Sequence, residues 1–335
     1  MMRPRIASIR EVRLSDEELL LPAFHQANAH SDPDYSPLTP AHWRWKFFEN
    51  PCGLRATIGL DESGQVLAQY AGLPQRICLD GEWTNITQGV DSFSSLNARG
   101  LGRRGAFVQT GEVFARQYGA VSDQGDPWMW GFPVPRARRV GERFLGYQGF
   151  RAQPLLQLFR APAAAPRARV ERAALALLNE EAASFDALNE SLLAGDRVQA
   201  DRSAQTLAWR YAEHPSRTYQ LLVQRTDAGE LIGYALLTRG KLGETRGTLL
   251  CELVTRDKDE GALIAAAWGI ACEQSEPKLI ALLAPNSGAF GRYQARGFHV
   301  RGSSLFLVGR SYDRTYSTEF WREKWRMSLG DTDLS

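Results

Sequence analysis

No apolar run in this 335-residue chain is long enough to cross a bilayer. The longest, 19–24 and 262–270, fall well short of the roughly 20 residues that a membrane helix needs. The basic start, Met1-Met2-Arg3-Pro4-Arg5, leads into the strand-like Ile9-Arg10-Glu11-Val12-Arg13-Leu14 rather than an apolar secretory core. The chain is therefore expected in the cytoplasm, with no membrane partner. Cysteine is scarce, and Cys52, Cys78, Cys251 and Cys272 form no CxxC or other close pair. That spacing argues against a disulfide framework or zinc ribbon and reads as core filling. His25, His30, His42, His214 and His299 show no ligand spacing, so no metal is expected. Nor does one sign of charge dominate: 40 Lys and Arg stand against 38 Asp and Glu, a formal +2. A protein that coats nucleic acid carries a broad basic surplus, so no nucleic-acid partner is expected and any anion site must be local.

What the chain does have is length, balance and repetition. With 44% hydrophobic and 23% charged residues, it can bury two cores of ordinary domain size. An internal repeat divides it. Trp45-Lys46-Phe47-Phe48-Glu49-Asn50-Pro51 has a counterpart in Trp209-Arg210-Tyr211-Ala212-Glu213-His214-Pro215. Both run from Trp to Pro over the same span, with a basic and then an aromatic residue straight after the Trp. An apolar stretch, a turn and another strand follow each. The turns are Asp61-Glu62-Ser63-Gly64 and Thr226-Asp227-Ala228-Gly229, where Gly supplies the positive φ that a tight hairpin needs. Each copy later ends a helical stretch in a Gly-aromatic pair, Gly146-Tyr147 and Gly297-Phe298.

The Pro/Ala/Arg run 160–169, with Pro162 and Pro166, reads as a connector. Domains are accordingly expected at 1–160 and 161–335. The first half is expected to hold a strand at 8–14, a helix at 16–29, an aromatic-rich segment at 41–49 and strands near 55–60, 65–72 and 84–94. A helix at 103–119, a strand at 127–132, a helix at 136–145 and a strand at 153–160 complete it. Helices between strands, with an early antiparallel hairpin, imply a mixed α/β or α+β sheet.

Gly89-Val90-Asp91-Ser92-Phe93-Ser94 is strand-like, and Arg99-Gly100-Leu101-Gly102-Arg103-Arg104-Gly105 follows it. Next comes a helix whose apolar face carries Phe107, Gly111, Phe114 and Tyr118, stopped by Gly119. Strand, glycine-rich turn and helix aim main-chain N–H groups and the positive end of a helix dipole at an anion. Arg99, Arg103 and Arg104 add charge-assisted donors. The alternative is a flexible turn with solvated arginines. Gly100, Gly102 and Gly105 also match G-x-G-x-x-G, so a dinucleotide oxidoreductase stays in view. Against it, the loop sits behind a hairpin, and Ser122-Asp123-Gln124-Gly125-Asp126-Pro127 is a turn where a ribose-binding strand end belongs.

In this order, the motifs resemble the GCN5-related N-acetyltransferase superfamily, and its tandem-domain bacterial members in particular. The family loop reads (Gln/Arg)-x-x-Gly-x-(Gly/Ala). Arg99-Gly100-Leu101-Gly102 matches its start, and Arg104 departs from its end; a register centred on Gly105 runs from Gly102 to Phe107. The aromatic entry at 42–51 and Trp130-Gly131-Phe132-Pro133, leading through a basic helix to Leu145-Gly146-Tyr147, are similar to the subgroup too. The resemblance implies two tandem domains, each a mixed, mostly antiparallel sheet flanked by helices. It implies that Ser92, Phe93 and Ser94 splay from the neighbouring strand to pair with a pantetheine arm. Arg99, Gly100, Gly102, Arg103, Arg104 and Gly105 would hold the pyrophosphate of acetyl-CoA or another acyl-CoA. The second half lacks that loop: Cys251-Glu252-Leu253-Val254-Thr255-Arg256 runs into Asp257-Lys258-Asp259-Glu260, whose acids repel a pyrophosphate. It keeps Asn286, Tyr293, Gly297 and Phe298, resembling the family segment whose tyrosine protonates the departing thiolate.

The implied activity is acyl transfer from a thioester to the amine of a small molecule or peptide. That chemistry needs a polarised carbonyl, a deprotonated amine and a route for the proton. Amides near Phe93 and Ser94 could polarise the carbonyl. Asp91, near the splayed strand end, is the first candidate base and Glu49 the second, with ordered water as an alternative to both. Tyr293 is the candidate acid, with a packing role as its rival. In the first half Glu142 stands where the family has its tyrosine, and Tyr147 reads as packing. Arg136, Arg138, Arg139 and Arg143 could reach a ribose phosphate or simply be solvated. A non-catalytic acyl-CoA-binding or scaffold protein, and an aminoacyl-tRNA-dependent peptidyl transferase, remain as alternatives, and the oligomeric state is open.

Overall fold

In this computed structural model the described residues are 4–30, 35–99, 102–119, 125–162, 169–193, 197–256 and 259–334. The strands of the first half are β1 (Ser8–Glu11), β2 (Arg55–Leu60), β3 (Val66–Leu79), β4 (Glu82–Ser94), β5 (Trp128–Gly131), β6 (Gln148–Ala152) and β7 (Leu155–Leu158). Those of the second are β8 (Arg169–Ala173), β9 (Val198–Ala200), β10 (Gln220–Arg225), β11 (Leu231–Leu242), β12 (Thr245–Thr255), β13 (Leu279–Ala281), β14 (His299–Arg301) and β15 (Phe306–Ser311). The helices are α1 (Glu17–Ala29), α2 (Pro40–Phe47), α3 (Ala106–Tyr118), α4 (Pro135–Phe144), α5 (Leu177–Glu180), α6 (Ala182–Leu193), α7 (Ala204–Leu207), α8 (Gly261–Ala271), α9 (Gly288–Ala295) and α10 (Thr318–Lys324). None of these helices is long and apolar enough to cross a membrane.

Two mixed sheets carry the architecture. One runs β1-β2-β3-β4-β5-β15-β6 and the other β14-β7-β13-β12-β11-β10-β8. In each, one parallel pair interrupts antiparallel neighbours, β4 with β5 and β12 with β13. Each parallel pair is bridged by a crossover helix, α3 and α8, because parallel strands cannot be joined by a tight turn.

The chain forms two compact units whose segments interleave. The first consists of the residues through Arg76, Thr84–Arg151 and Phe306–Glu319. The second consists of Ile77–Trp83, Ala152–Leu305 and the residues from Phe320 on. Each therefore draws on both sides of residue 160. The last strand, β15, closes the first sheet between β5 and β6, while β7, from the first half of the sequence, lies in the second sheet between β13 and β14. The strand expected at 153–160 is present but belongs to the second sheet.

Several landmarks of the sequence repeat take matching conformations. Asp61 and Gln65 close one hairpin and Thr226 and Glu230 the other, with Gly64 at φ 84° and Gly229 at φ 87°. Gly146 and Gly297 both take positive φ just past a helix, at 70° and 99°, as helix stops do. The aromatic-rich 41–49 segment forms α2, entered through Thr39, whose hydroxyl accepts the His42 amide ahead of Pro40 at the first helical position. Its counterpart is a π-helical turn over Ala208–Ala212. Two features differ from the sequence reading. β3 runs on to Leu79, and β6 was not expected, because its half-exposed Gln-Gly-Phe-Arg-Ala carries no alternation to reveal it.

In the first unit, Tyr70, Val108, Phe114, Met129 and Leu145 pack under α3. Of its expected apolar face, Gly111, Phe114 and Tyr118 are buried and Phe107 is half-buried. A Cβ at Gly111 would lie 2.9 Å from the Tyr70 ring, so glycine is what lets the helix lie flat on the sheet. In the second unit, Leu237, Leu250, Leu263, Ile264, Tyr293 and Phe298 form the equivalent layer under α8 and α9.

Candidate active site

The first unit's site is made by two strands that part. β4 and β5 are paired at Thr87 with Met129 and at Gln88 with Trp130, and then separate. Asp91 follows with φ 47°, a left-handed conformation rare for a residue with a side chain. Side chains replace ladder bonds around this kink. Gln69 donates to the Asp91 carbonyl at 2.9 Å, and the Ala71 amide donates to Ser92 Oγ at 2.9 Å. Beyond it, the Ser95 amide donates to Leu67 O of β3's edge. Alternation then turns the Ser94 amide toward the side that β5 has left. The same rule points the Phe93 amide back at β3, so of that pair only Ser94 offers a main-chain donor to the gap. Phe93 serves packing, its ring 5.6 Å from that of Phe24.

The turn ahead of α3 is only partly open. Gly105 donates its amide to Gly102 O at 3.0 Å and accepts the amides of Val108 and Gln109 through its carbonyl. No side chain caps α3. As the first two helical residues, Ala106 and Phe107 have no intrahelical acceptor for their amides. Gly102 takes φ 55°, and Arg103 and Arg104 are exposed on the short 3-10 turn beside it. Gly100 lies outside the described residues. Arg99 is turned inward, donating to Ser94 O at 3.4 Å and to Ala27 O at 3.2 Å, which ties the end of β4 to α1. Burial, and then the positive charge of Arg136, push its pKa down. That opposition places α4's first arginine near the loop. Phe144, at the other end of α4, comes within 3.8 Å of where a Cβ of Gly102 would stand. Arg136, Arg139 and Arg143 are exposed on α4. Arg138 is committed elsewhere, paired with Glu142 at 2.7 Å and stacked 3.3 Å from the Phe306 ring.

Of the three candidate catalytic residues, Asp91 and Glu49 lie in the first unit and Tyr293 in the second. Asp91 pairs with Lys46 at 2.7 Å; the lysine side chain is only 4% exposed, the aspartate 19%. A lysine that deep must be paired, so Asp91 is a structural counter-ion whatever else it does. Glu49 is exposed just past α2, and its carboxylate acts on Arg44. Tyr293 belongs to the second unit, buried in α9 with its ring 5.1 Å from Phe298; burial, and then Glu260, raise its pKa. Tyr147 is bonded to the Tyr70 hydroxyl, and burial pushes it up to about 12, in keeping with packing.

The second unit repeats the parting and closes it. β12 and β13 are paired at Thr248 with Leu279 and at Leu249 with Ile280 before they separate. Glu252 stands three residues past the last pair, as Asp91 does past Gln88. The register slips there, because Cys251 is an extra residue between Leu250 and Glu252. Glu252 accepts from Arg202 at 3.0 Å and from the Tyr211 hydroxyl at 3.0 Å, and Arg202 also pairs with Asp331 at 2.6 Å. Burial drives the Glu252 carboxyl up, Arg202 opposes, and Asp331 adds to the rise. Arg210, the repeat's counterpart of Lys46, donates to Thr332 O. The segment around 327–331 touches both parted strands. Ser328 bridges Leu283, the Ala284 amide reaches Met327 O at 2.7 Å, and Gly330 packs on Glu252 and the Cys251 carbonyl. The start of α8 is occupied as well: Asp259 accepts the Gly261 amide at 3.1 Å and pairs with Arg296 at 2.8 Å, and Glu260 pairs with Arg292 at 2.6 Å.

Sequence reasoning missed Lys46, Arg202, Glu252 and Asp331 as members of these sites. The repeated basic residue after the Trp was the available signal, since a cation flanked by buried aromatics needs an acid.

No family model matches the sequence, and no curated protein does. Solved structures do. A GCN5-related N-acetyltransferase from Anabaena variabilis ATCC 29413 matches with a TM-score of 0.62 at 14% identity, covering 91% of this chain and 73% of that one. The fold is that of the GCN5-related N-acetyltransferases. A conserved protein of unknown function from Enterococcus faecalis V583, a probable N-acyltransferase, matches with a TM-score of 0.61 at 13% identity, covering 91% and 72%. A GCN5-related N-acetyltransferase from Kribbella flavida matches with a TM-score of 0.58 at 14% identity, covering 91% and 70%. At these identities the likeness is one of acetyltransferase fold.

Proposed function

We propose that the protein is an acyl-CoA-dependent N-acyltransferase, with acetyl-CoA as donor and the first unit as its working half. It transfers the acyl group, in the cytoplasm, to the amine of a small molecule or peptide. One observation carries this reading: β4 and β5 part beside an uncapped helix start and an arginine-bearing helix, whereas the second unit has filled the same features with its own side chains. The residues fit an anionic, extended co-substrate. When bound, the thioester supplies an activated acyl carbon. The Ala106 and Phe107 amides, with Arg103 and Arg104, are the groups for the pyrophosphate. Arg136, Arg139 and Arg143 suit a ribose phosphate. The Ser94 amide is the donor that can polarise a carbonyl lying in the gap. Asp91 takes the proton of the amine, directly or through water, with Lys46 fixing its orientation. Glu49 is the second candidate for that proton.

Calorimetry with acetyl-CoA, longer acyl-CoAs and NAD tests the reading on the wild type and on Arg103→Glu/Arg104→Glu. Acetyl-CoA is expected to bind, the double variant to lose it, and a panel of amines to release free thiol. Unchanged affinity in the variant rejects the loop as the pyrophosphate site. NAD binding in place of CoA puts a dinucleotide enzyme forward, and CoA binding without thiol release a non-catalytic binding protein.

A further inference from the structure

We infer that the second unit carries a binding site of its own, for a small organic phosphomonoester, in the cavity bounded by β10, β11, β12 and the last turn of α8. The cavity measures about 380 Å³, within the range of small-molecule sites. Leu237 and Ile270, both buried, give it an apolar wall. Its polar side is basic. Arg217 and Arg239 line it, both exposed, and among the described residues neither guanidinium has a hydrogen-bond or ion-pair partner.

The fold holds these two like charges at one cavity, where they repel each other until an anion arrives. The Thr238 hydroxyl donates to Thr218 O at 2.8 Å, tying the segment that carries Arg217 to the strand that carries Arg239. No acid lines the cavity. Glu252, the one acid within β10, β11, β12 and α8, is held by Arg202 and Tyr211. Of the acids close by in sequence, Glu273 pairs with Arg172 and Glu244 with Lys241 at 3.7 Å, while the exposed Glu213 pairs with neither lining arginine. Asp333, whose charge acts on Arg210 and Tyr219, is not a lining residue either. The negative end of α8 is blunted, because Ile270 O accepts the Glu273 amide at 3.2 Å and Ala271 O the Gln274 amide at 3.1 Å.

Two further lining residues refine the choice of ligand. Thr248, 1% exposed, accepts from Gln274 Nε2, which leaves its hydroxyl proton without an acceptor among the described residues. Gln220 keeps a buried Oε1 that has no hydrogen-bond partner. An amine finds no acid here. A monocarboxylate is saturated by one guanidinium, whereas a phosphoryl group brings about two charges and three acceptor oxygens to two guanidinia and a hydroxyl. The carbon skeleton of an ester then lies against Leu237 and Ile270. A hydroxyl on that skeleton is the donor Gln220 lacks, once its amide turns to face it.

The test titrates the full chain, by calorimetry and phosphorus NMR, with glycerol 3-phosphate and ribose 5-phosphate, and in parallel with inorganic phosphate, succinate and methylamine. At least one ester is expected to bind with one-to-one stoichiometry, more tightly than any of the three comparators. Arg217→Gln and Arg239→Gln should each weaken it about tenfold, the loss of a charged hydrogen-bonding partner. The double variant should abolish it. Both side chains are exposed, so these variants are expected to fold, and thermal melting establishes that they do. Arg103→Glu/Arg104→Glu, in the first unit, should leave ester binding unchanged, which separates this outcome from that of the acyl-CoA reading. Failure of both esters to bind, a preference for inorganic phosphate, succinate or methylamine, or binding indifferent to Arg217 and Arg239 overturns the assignment.

Discussion

The two units put an acid at the same place, three residues past the last pair of two separating strands, and then treat it in opposite ways. In the first, Asp91 has one buried cation, Lys46, and keeps part of its surface in water. In the second, Glu252 is gripped by Arg202 and Tyr211, crowded by Gly330 and shares its guanidinium with Asp331. The difference teaches that one strand geometry can serve two opposite ends. A half-open acid next to unused main-chain donors is chemistry held available, and the same acid tied into a closed knot is scaffold.

The sharpest way to break that contrast is Arg202→Met. It strands two buried carboxylates, and urea unfolding should show a loss of about 3–5 kcal/mol. Lys46→Met strands one carboxylate that can recover water, so the loss should be smaller, about 1–3 kcal/mol. Equal losses would mean that the first site is as closed as the second. A finer comparison uses the paired hairpins. Gly64→Ala and Gly229→Ala each force a side chain into the left-handed region and should each cost about 1–2 kcal/mol; a marked inequality would show that the two turns are not equivalent. The smallest effect at neutral pH belongs to Tyr147. Its folded pKa of about 12 lies above the ordinary 10.0, so folding favours the neutral hydroxyl. That contribution is intact below pH 10 and disappears as the pH rises through about 12. Tyr147→Phe should therefore flatten the alkaline limb of the stability profile and leave the acid limb as it was.

Much of the fold was readable because its landmarks are local. Gly64, Gly229, Gly146 and Gly297 occupy conformations that select glycine, and they bracket strands and helices at matching places in both copies. The parting of β4 from β5 was readable only through family resemblance, since nothing in Gly89-Val90-Asp91 encodes a missing neighbour. The partners of β7 and β15 were not readable at all. Leu-Leu-Gln-Leu and Phe-Leu-Val-Gly-Arg-Ser are short apolar runs that any sheet interior accepts, so their pattern specifies burial but not which sheet. Lys46 escaped notice as a site residue because a lysine in an amphipathic stretch is ordinarily solvated, and only its depth shows that it needs Asp91. Of the expected loop, Arg99 proved to be an anchor for β4, leaving Arg103 and Arg104 as its exposed cations.

The strand that closes the first sheet, β15, is made long after β5 and β6, the strands it joins. During synthesis the amino-terminal half thus emerges with an unfilled slot between β5 and β6, and its own β7 has no sheet to join until β13 exists. Such a chain cannot mature one half at a time. Severing it between β7 and β8 should yield fragments that are insoluble alone and regain structure only when mixed.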